Sequence, residues 1–255
     1  MLCMHGLTRN AADFEDVCEN LPTGVRAIAV DQRGRARSEY DPNPGNYLPA
    51  SYVQDMFTLI DHLGLERVVL FGTSLGGLMA MMMNAMKPGF FKGVILNDIG
   101  PVINPEGLDR IKGYVGKGEP MASWEEAAEL LKANNKSSRD ALANDGWMRF
   151  AKRTCEETED GRVRLAYDPK ISEPIGDDEE NAVPPDLWPV FDQLQDVPLL
   201  VIRGELSDIL HPDTVAGMQR RKPDMEVLEV PGVGHAPILD EPGVMEKVSA
   251  FVKAL

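Results

Sequence analysis

Ser74, Asp208 and His235 are the residues of this chain whose types and order suit acyl transfer. A serine hydroxyl is a weak nucleophile until a neighbouring base takes its proton, and the base works best when a carboxylate holds its tautomer. Ser74 is the centre of Gly72-Thr73-Ser74-Leu75-Gly76, directly behind the apolar run Val68-Val69-Leu70-Phe71. A strand that passes into a helix within a few residues strains its central residue, so the positions two before and two after should be small. Gly72 and Gly76 meet that need and leave the Ser74 hydroxyl exposed above the sheet. A chance Gly-x-Ser-x-Gly is possible in a chain with 23 glycines, but the flanking pattern argues otherwise. Arg67 to Phe71 reads as a buried strand, and Leu75 to Met86 as a helix stopped by Pro88-Gly89. The methionines of that helix read as gap-filling core rather than as ligands.

The chain has four histidines. His235 ends Pro231-Gly232-Val233-Gly234-His235, a glycine-rich loop after the last strand, from which an imidazole can reach back to Ser74. His62 falls inside an amphipathic helix, and His211 is three residues from Asp208, too near to share acid and base roles with it. His5 is expected to brace a loop. For the orienting acid, Asp208 leaves the strand Leu199–Ile202 at the correct sheet end. The other reading of Asp208 is a cap on the helix beginning near Pro212. Asp98, after the strand Val94–Leu96, is the reserve acid, and Glu205 falls before the loop has turned. Two backbone donors are needed for the developing oxyanion. The amide of Leu75 is one, and the amide of Leu7, after His5-Gly6, is the other.

These residues must be held at one edge of a sheet. Six apolar runs predict strands: Leu2–Met4, Ala27–Val30, Val68–Phe71, Val94–Leu96, Leu199–Ile202 and Val227–Val230. Helical patterns separate most of them, including Tyr52, Met56, Leu59, Ile60 and Leu63 on one face and Val244, Met245, Val248, Phe251 and Val252 on another. Alternating strands and helices predict a mostly parallel, doubly wound α/β sheet with ligands at the carboxyl ends of its strands. Between about residues 101 and 193 the alternation stops and no strand is predicted. Ser123-Trp124-Glu125-Glu126 is a capping-box helix start, and the segment reads as a helical cap. The expected division is core 1–103, cap 104–191 and core 192–255. Trp124, Trp147, Phe150, Tyr167, Trp188 and Phe191 can line a pocket, although each is better read as part of the cap's own core.

Composition narrows the class. A net charge of −15, from 41 acidic and 26 basic residues, excludes nucleic acid as an expected partner and favours a neutral substrate. Much of the excess lies in 156–160 and 177–180, read as solvated loops. No stretch approaches the roughly 18 apolar residues of a membrane span, and the first residues lack a leader pattern. Three cysteines without metal spacing fit a reducing compartment, so a cytoplasmic location is expected.

The order serine, acid, histidine resembles that of the α/β-hydrolase superfamily, and the likeness runs from Met4-His5-Gly6 to Phe251. Asp31-Gln32-Arg33-Gly34-Arg35-Ala36-Arg37-Ser38 is similar to the family's Asp-x-Arg-Gly-x-Gly-x-Ser loop, with Ala36 at the second glycine. Gly232-Val233-Gly234-His235 is similar to its Gly-x-Gly-His ending. The resemblance implies a capped serine hydrolase that needs no metal or organic cofactor. A carboxylesterase on small to medium acyl esters is expected. Alternatives are hydrolysis of a lactone, enol-lactone or carbon–carbon bond of the meta-cleavage type, and a ligand-binding protein with marginal turnover. Anionic substrates would require a basic pocket group, with Arg9, Arg33, Arg35 and Arg37 as candidates. Family members carry a β-hairpin before the first strand seen here. Either the start is truncated or the sheet has about two fewer strands at that end; absence of the hairpin would uncover Ala27–Val30 as an edge, and homodimerisation or other shielding of that edge is expected.

Overall fold

A computed structural model describes residues 1–135, 144–175 and 186–255; the acidic run 177–180 lies outside them. Six parallel strands form one sheet in the order β2-β1-β3-β4-β7-β8. They are β1 (Leu2–Met4), β2 (Ile28–Val30), β3 (Val68–Thr73), β4 (Phe91–Asn97), β7 (Leu199–Gly204) and β8 (Glu226–Val230). Each overlaps one of the apolar runs in the sequence, because a strand covered on both faces must be apolar at nearly every position. Side chains alternate between the two faces. Leu2, Met4, Leu70, Val94, Leu96 and Val201 pack on one side, while Cys3, Phe71, Ile95, Leu200 and Ile202 pack on the other.

Helices cover both faces. Helix α2 (Pro49–His62), α3 (Leu75–Met86) and α8 (Pro212–Arg221) bury Ile60, Met79 and Met218 against the first face. Helix α1 (Glu15–Asn20) and α9 (Val244–Lys253) bury Val17, Val248 and Phe251 against the second. Met79, Met81 and Met83 are fully buried in apolar packing, as expected of flexible core filler. Strand β2 forms one edge of the sheet, paired with β1 alone.

Between β4 and β7 the chain leaves the sheet and forms α4 (Pro105–Tyr114), α5 (Trp124–Asn134), α6 (Asn144–Thr154) and, just before β7, α7 (Trp188–Phe191). Helix α5 starts at the expected Ser123 cap, whose Oγ accepts from Glu126 N at 3.3 Å, while Glu126 Oε2 reaches one residue past the capping-box position to accept from Ala122 N at 2.6 Å. The expectation of a strandless segment is corrected. Strands β5 (Cys155–Glu157) and β6 (Val163–Leu165) form an antiparallel hairpin, pinned across the ladder by Arg164 to Glu156 at 2.6 Å. Part of the run 156–160 is therefore strand rather than loop, and three-residue strands carry too little alternation to be seen in sequence. The insertion has its own small core, in which Trp147, Phe150, Leu131 and Val163 are buried. Tyr167 and Phe191 instead join the main core.

No helix among the described residues is long and apolar enough to cross a membrane.

Candidate active site

Ser74 stands between β3 and α3 with φ 51° and ψ −113°, a conformation that L-residues rarely adopt. The neighbouring glycines follow from close packing. A Cβ on Gly72 would run into the backbone of Gly76, and one on Gly76 into the carbonyl of Met4, both nearer than real Cβ contacts come. The backbone of Ser74 is fixed as well, its N–H donating to Asn97 O at 2.9 Å just beyond the β3–β4 ladder.

His235 Nε2 lies 2.9 Å from Ser74 Oγ, and His235 Nδ1 lies 2.7 Å from Asp98 Oδ2. A carboxylate oxygen accepts, so the ring proton belongs on Nδ1 and the Nε2 lone pair faces the serine hydroxyl. Asp98 is completely buried. Its Oδ1 accepts from Gly204 N at 2.9 Å and its Oδ2 also accepts from Ser207 Oγ at 2.6 Å. The residue directly follows β4 at φ 56°, a region that Asp tolerates better than most residues.

The expectation that Asp208 orients the base is corrected by this geometry. Asp208 turns away to α4, where Arg110 Nε donates to Oδ2 at 2.5 Å and Arg110 Nη2 to Oδ1 at 2.9 Å. Burial opposes ionisation of Asp208, but the hydrogen bond and charge of Arg110 outweigh it and hold the carboxyl below its usual range. Helix α4 can approach this closely because Gly107 lies against the Asp208 carbonyl, where a Cβ would not fit. Asp208 does not cap α8 either, since His211 holds that position. Glu205 serves the histidine loop from outside, its Oε2 accepting from Gly232 N at 2.7 Å.

The His235 loop is held from several sides. Asn97 Nδ2 donates to Pro237 O at 2.9 Å, and the Glu241 carboxylate accepts from Ile238 N and Leu239 N at 2.8 and 2.9 Å. Ser207, Asn97 and Glu241 belong to no motif of the sequence. A polar residue closing an apolar strand is a signal for Asn97, and nothing in the pattern marks Ser207, three residues past β7, or Glu241.

On the opposite side of Ser74, His5 is fully buried. Burial, reinforced by the charge of Arg35, pushes its imidazole down to about 3, so it is neutral. Its Nε2 accepts from Gln32 N at 3.0 Å and its Nδ1 donates to Gly6 O at 2.7 Å. In a trans peptide the N–H points opposite to the C=O, so anchoring Gly6 O also fixes the direction of the Leu7 amide. Arg35 Nε holds the next carbonyl, Leu7 O, at 3.0 Å. Leu75, as the first residue of α3, has no carbonyl within its own helix to receive its amide. Gly6 itself keeps space open, for a Cβ there would lie 3.7 Å from Ser74 Cβ and 3.5 Å from Arg9 Cγ.

These groups open into a cavity of about 100 Å³ lined by core and insertion together, among them Thr8, Tyr114, Leu131, Phe150 and Ile238. Of the four arginine candidates, Arg9 lines it. Arg33 is bound to Asp55 and Asp41, Arg35 is buried beneath Leu7, and Arg37 is 93% exposed. Among the described residues no cluster of His, Cys, Asp and Glu is arranged to hold a metal ion.

A nucleophile-bearing turn between a parallel strand and a helix, with an imidazole from the loop after the last strand, is the hallmark of one fold family. The model of the alpha/beta hydrolase fold matches residues 1–242, and the chain belongs to that family. It is 34% identical to 3-hydroxybutyrate-oligomer hydrolase of Cupriavidus necator, over 95% of this chain and 84% of that protein. It is 30% identical to 2-(acetamidomethylene)succinate hydrolase of Mesorhizobium japonicum, over 92% and 81% respectively. An alpha/beta hydrolase from Novosphingobium aromaticivorans superposes with a TM-score of 0.92 at 41% identity, covering 100% of this chain and 89% of that one. The protein is a hydrolase of this family.

Proposed function

We propose that the protein cleaves carboxylic esters of small to medium acyl groups through an acyl-enzyme on Ser74. The observation that carries this reading is the continuous hydrogen-bonded line Ser74–His235–Asp98, open to a cavity at the Ser74 end. His235 takes the Ser74 proton as Oγ attacks the ester carbonyl, and the amides of Leu75 and Leu7 receive the oxyanion. The imidazolium, steadied by Asp98, gives its proton to the departing alcohol. Water then attacks the acyl-enzyme, its proton passing to His235 and from there to Ser74 Oγ, and the carboxylic acid is released. The insertion closes the cavity over Ser74 and limits the length of the acyl chain. The relative from Cupriavidus necator is named for an oligomer of a hydroxyacid, which agrees with an ester substrate.

Hydrolysis of a p-nitrophenyl butyrate by Ser74→Ala and wild type tests this. The variant should lose on the order of 10⁶ in turnover; a variant that keeps its activity overturns the mechanism, and a wild type with only marginal turnover points to a binding role. A second reading, cleavage of a lactone or a carbon–carbon bond in an anionic substrate, has one observation in its favour: Arg9 in the pocket wall. Product analysis after incubation with simple esters and with an enol-lactone separates the two.

A further inference from the structure

Arg9 is built into the pocket in a way that a surface arginine is not. Its side chain is only 15% exposed, and its guanidinium lies 3.9 Å from the centroid of the Phe150 ring. Nε donates to Asp13 Oδ2 at 2.9 Å, Nη2 donates to Asp13 Oδ1, and Nη1 donates to Thr154 Oγ1 at 2.5 Å. A guanidinium carries five N–H bonds in a rigid fork. Asp13 takes two and Thr154 takes one, so two stay available, and no other acceptor among the described residues receives them.

Position gives those donors a use. The stem of Arg9 and the Cβ of Ser74 flank the same point beside Gly6, 3.5 and 3.7 Å from it. A group bound at the guanidinium would therefore lie a few carbon atoms from the carbonyl under attack. Arg9 and Asp13 are the charged pair of the described pocket wall, which otherwise presents His235, neutral polar groups and apolar side chains. Planar, paired N–H donors suit a carboxylate better than any neutral group.

We infer that Arg9 selects esters carrying a carboxylate a few carbons from the scissile bond, as in the ester of a short hydroxyacid or the half-ester of a short diacid. This rests on the ester reading above and names its substrate class. Asp13 tempers the site: it holds the guanidinium in place and cancels part of its charge, so substrate binds and product leaves.

Two pairs of esters, followed by acid release, test the inference. 4-Butyryloxybutanoate against pentyl butyrate places the carboxylate on the alcohol side, and ethyl hydrogen glutarate against ethyl pentanoate places it on the acyl side. Wild type should prefer one anionic ester over its neutral counterpart by about tenfold or more in kcat/KM, through KM. Arg9→Met should cut kcat/KM for that ester about 30- to 100-fold, the range of a lost charge-assisted hydrogen bond, and lower that of its neutral counterpart by a much smaller factor. Asp13→Asn, which keeps an acceptor but removes the opposing charge, should move the anionic preference upward. Opposite signs in the two variants cannot come from loosening a structural clamp, which would lower all four rates in both. Neutral esters preferred by wild type, or both variants falling together on both substrate types, overturns the role of Arg9 and leaves the esterase reading intact. No cleavage of any of the four overturns both.

Discussion

Asp98 and Asp208 leave adjacent strands of one sheet on the same side, yet only one of them meets the base. Asn97, the last residue of β4, pairs with Ile202, and β7 runs on for two residues to Gly204 before its loop begins. Asp98 comes at once after its strand and collects donors from Gly204, Ser207 and His235 without any exposure to solvent. Asp208 comes four positions after Gly204, and by then the loop has folded back on itself through Ser207 N to Gly204 O and is tied to the His235 loop through Leu206 N to Val233 O. That turn presents Ser207, not Asp208, to the interior. Asp208 is left 29% exposed and faces Arg110 of α4. One carboxylate is thus enclosed by the sheet and orients an imidazole; the other fastens the insertion to the sheet. A strand end supplies the opportunity, and the path of the next few residues decides how it is used.

The largest separation between the two should appear in turnover. Asp98→Asn keeps the shape but donates where His235 needs an acceptor, which favours the wrong tautomer and should lower kcat by about 10⁴. Asp208→Asn should leave kcat within a few-fold and instead reduce stability by about 1–3 kcal/mol, the range for losing a charged hydrogen-bond partner. Steady-state assays on p-nitrophenyl butyrate, paired with urea unfolding, read both quantities. Turnover falling by similar factors in the two variants would erase the distinction.

This division also marks what was legible in the sequence. Ser74 was readable because its requirements are local: Gly72 and Gly76 allow one strand-to-helix turn, and both lie within two residues. His235 was readable because histidines are few and a glycine-rich loop follows the last strand. The six sheet strands were readable because burial on both faces leaves continuous apolar runs. The choice between Asp98 and Asp208 was not readable, because it depends on Arg110, 98 residues away in the chain, and on Gly107, whose missing side chain lets α4 touch the Asp208 carbonyl. The β5–β6 hairpin escaped because three-residue strands show no period. Arg35 escaped because an arginine in a charged loop reads as solvated, whereas it is fully buried with its guanidinium on Leu7 O and Tyr52.

The contact that turns Asp208 outward can be attacked directly. Gly107→Ala places a methyl against the Asp208 carbonyl, and overpacking of this kind costs about 1–3 kcal/mol. Thermal unfolding should show the loss, while the Ser74–His235–Asp98 geometry, built from other elements, keeps its kcat. A drop in kcat as large as that of Asp98→Asn would mean that the two loops are coupled more tightly than their separate hydrogen bonds indicate. A smaller effect is expected from Ser207→Ala. It removes one of the donors to Asp98 and should lower kcat about tenfold, equivalent to roughly 1.4 kcal/mol. With one of its anchors gone, Asp98 holds the His235 ring less firmly, so the loss should appear in kcat rather than in KM. An unchanged kcat would assign Ser207 to its other hydrogen bonds, from the amides of Ile209 and Leu210.

Acid titration gives the finest test, because, against the opposing effect of burial, Arg110 of the insertion lowers the proton affinity of Asp208, with a smaller contribution from the charge of His235. Arg110 holds its carboxyl below the ordinary value, which is about 3.9 in an unfolded chain. Between those two values the unfolded chain binds the proton and the folded one does not, so stability falls as pH falls. The contribution of the Arg110 pair is therefore complete above about pH 4 and is lost as the solution is acidified through the folded value. Urea unfolding of wild type and Asp208→Asn should differ by a constant amount near neutrality and converge under acid. A gap that stays constant into acid would mean that the pair contributes through packing rather than charge. A carboxylate whose protonation is felt in stability while turnover at neutral pH is indifferent to its replacement is an anchor. Asp98 must show the reverse, a turnover that collapses on replacement by an uncharged isostere, if the enclosed carboxylate is the one that serves the base.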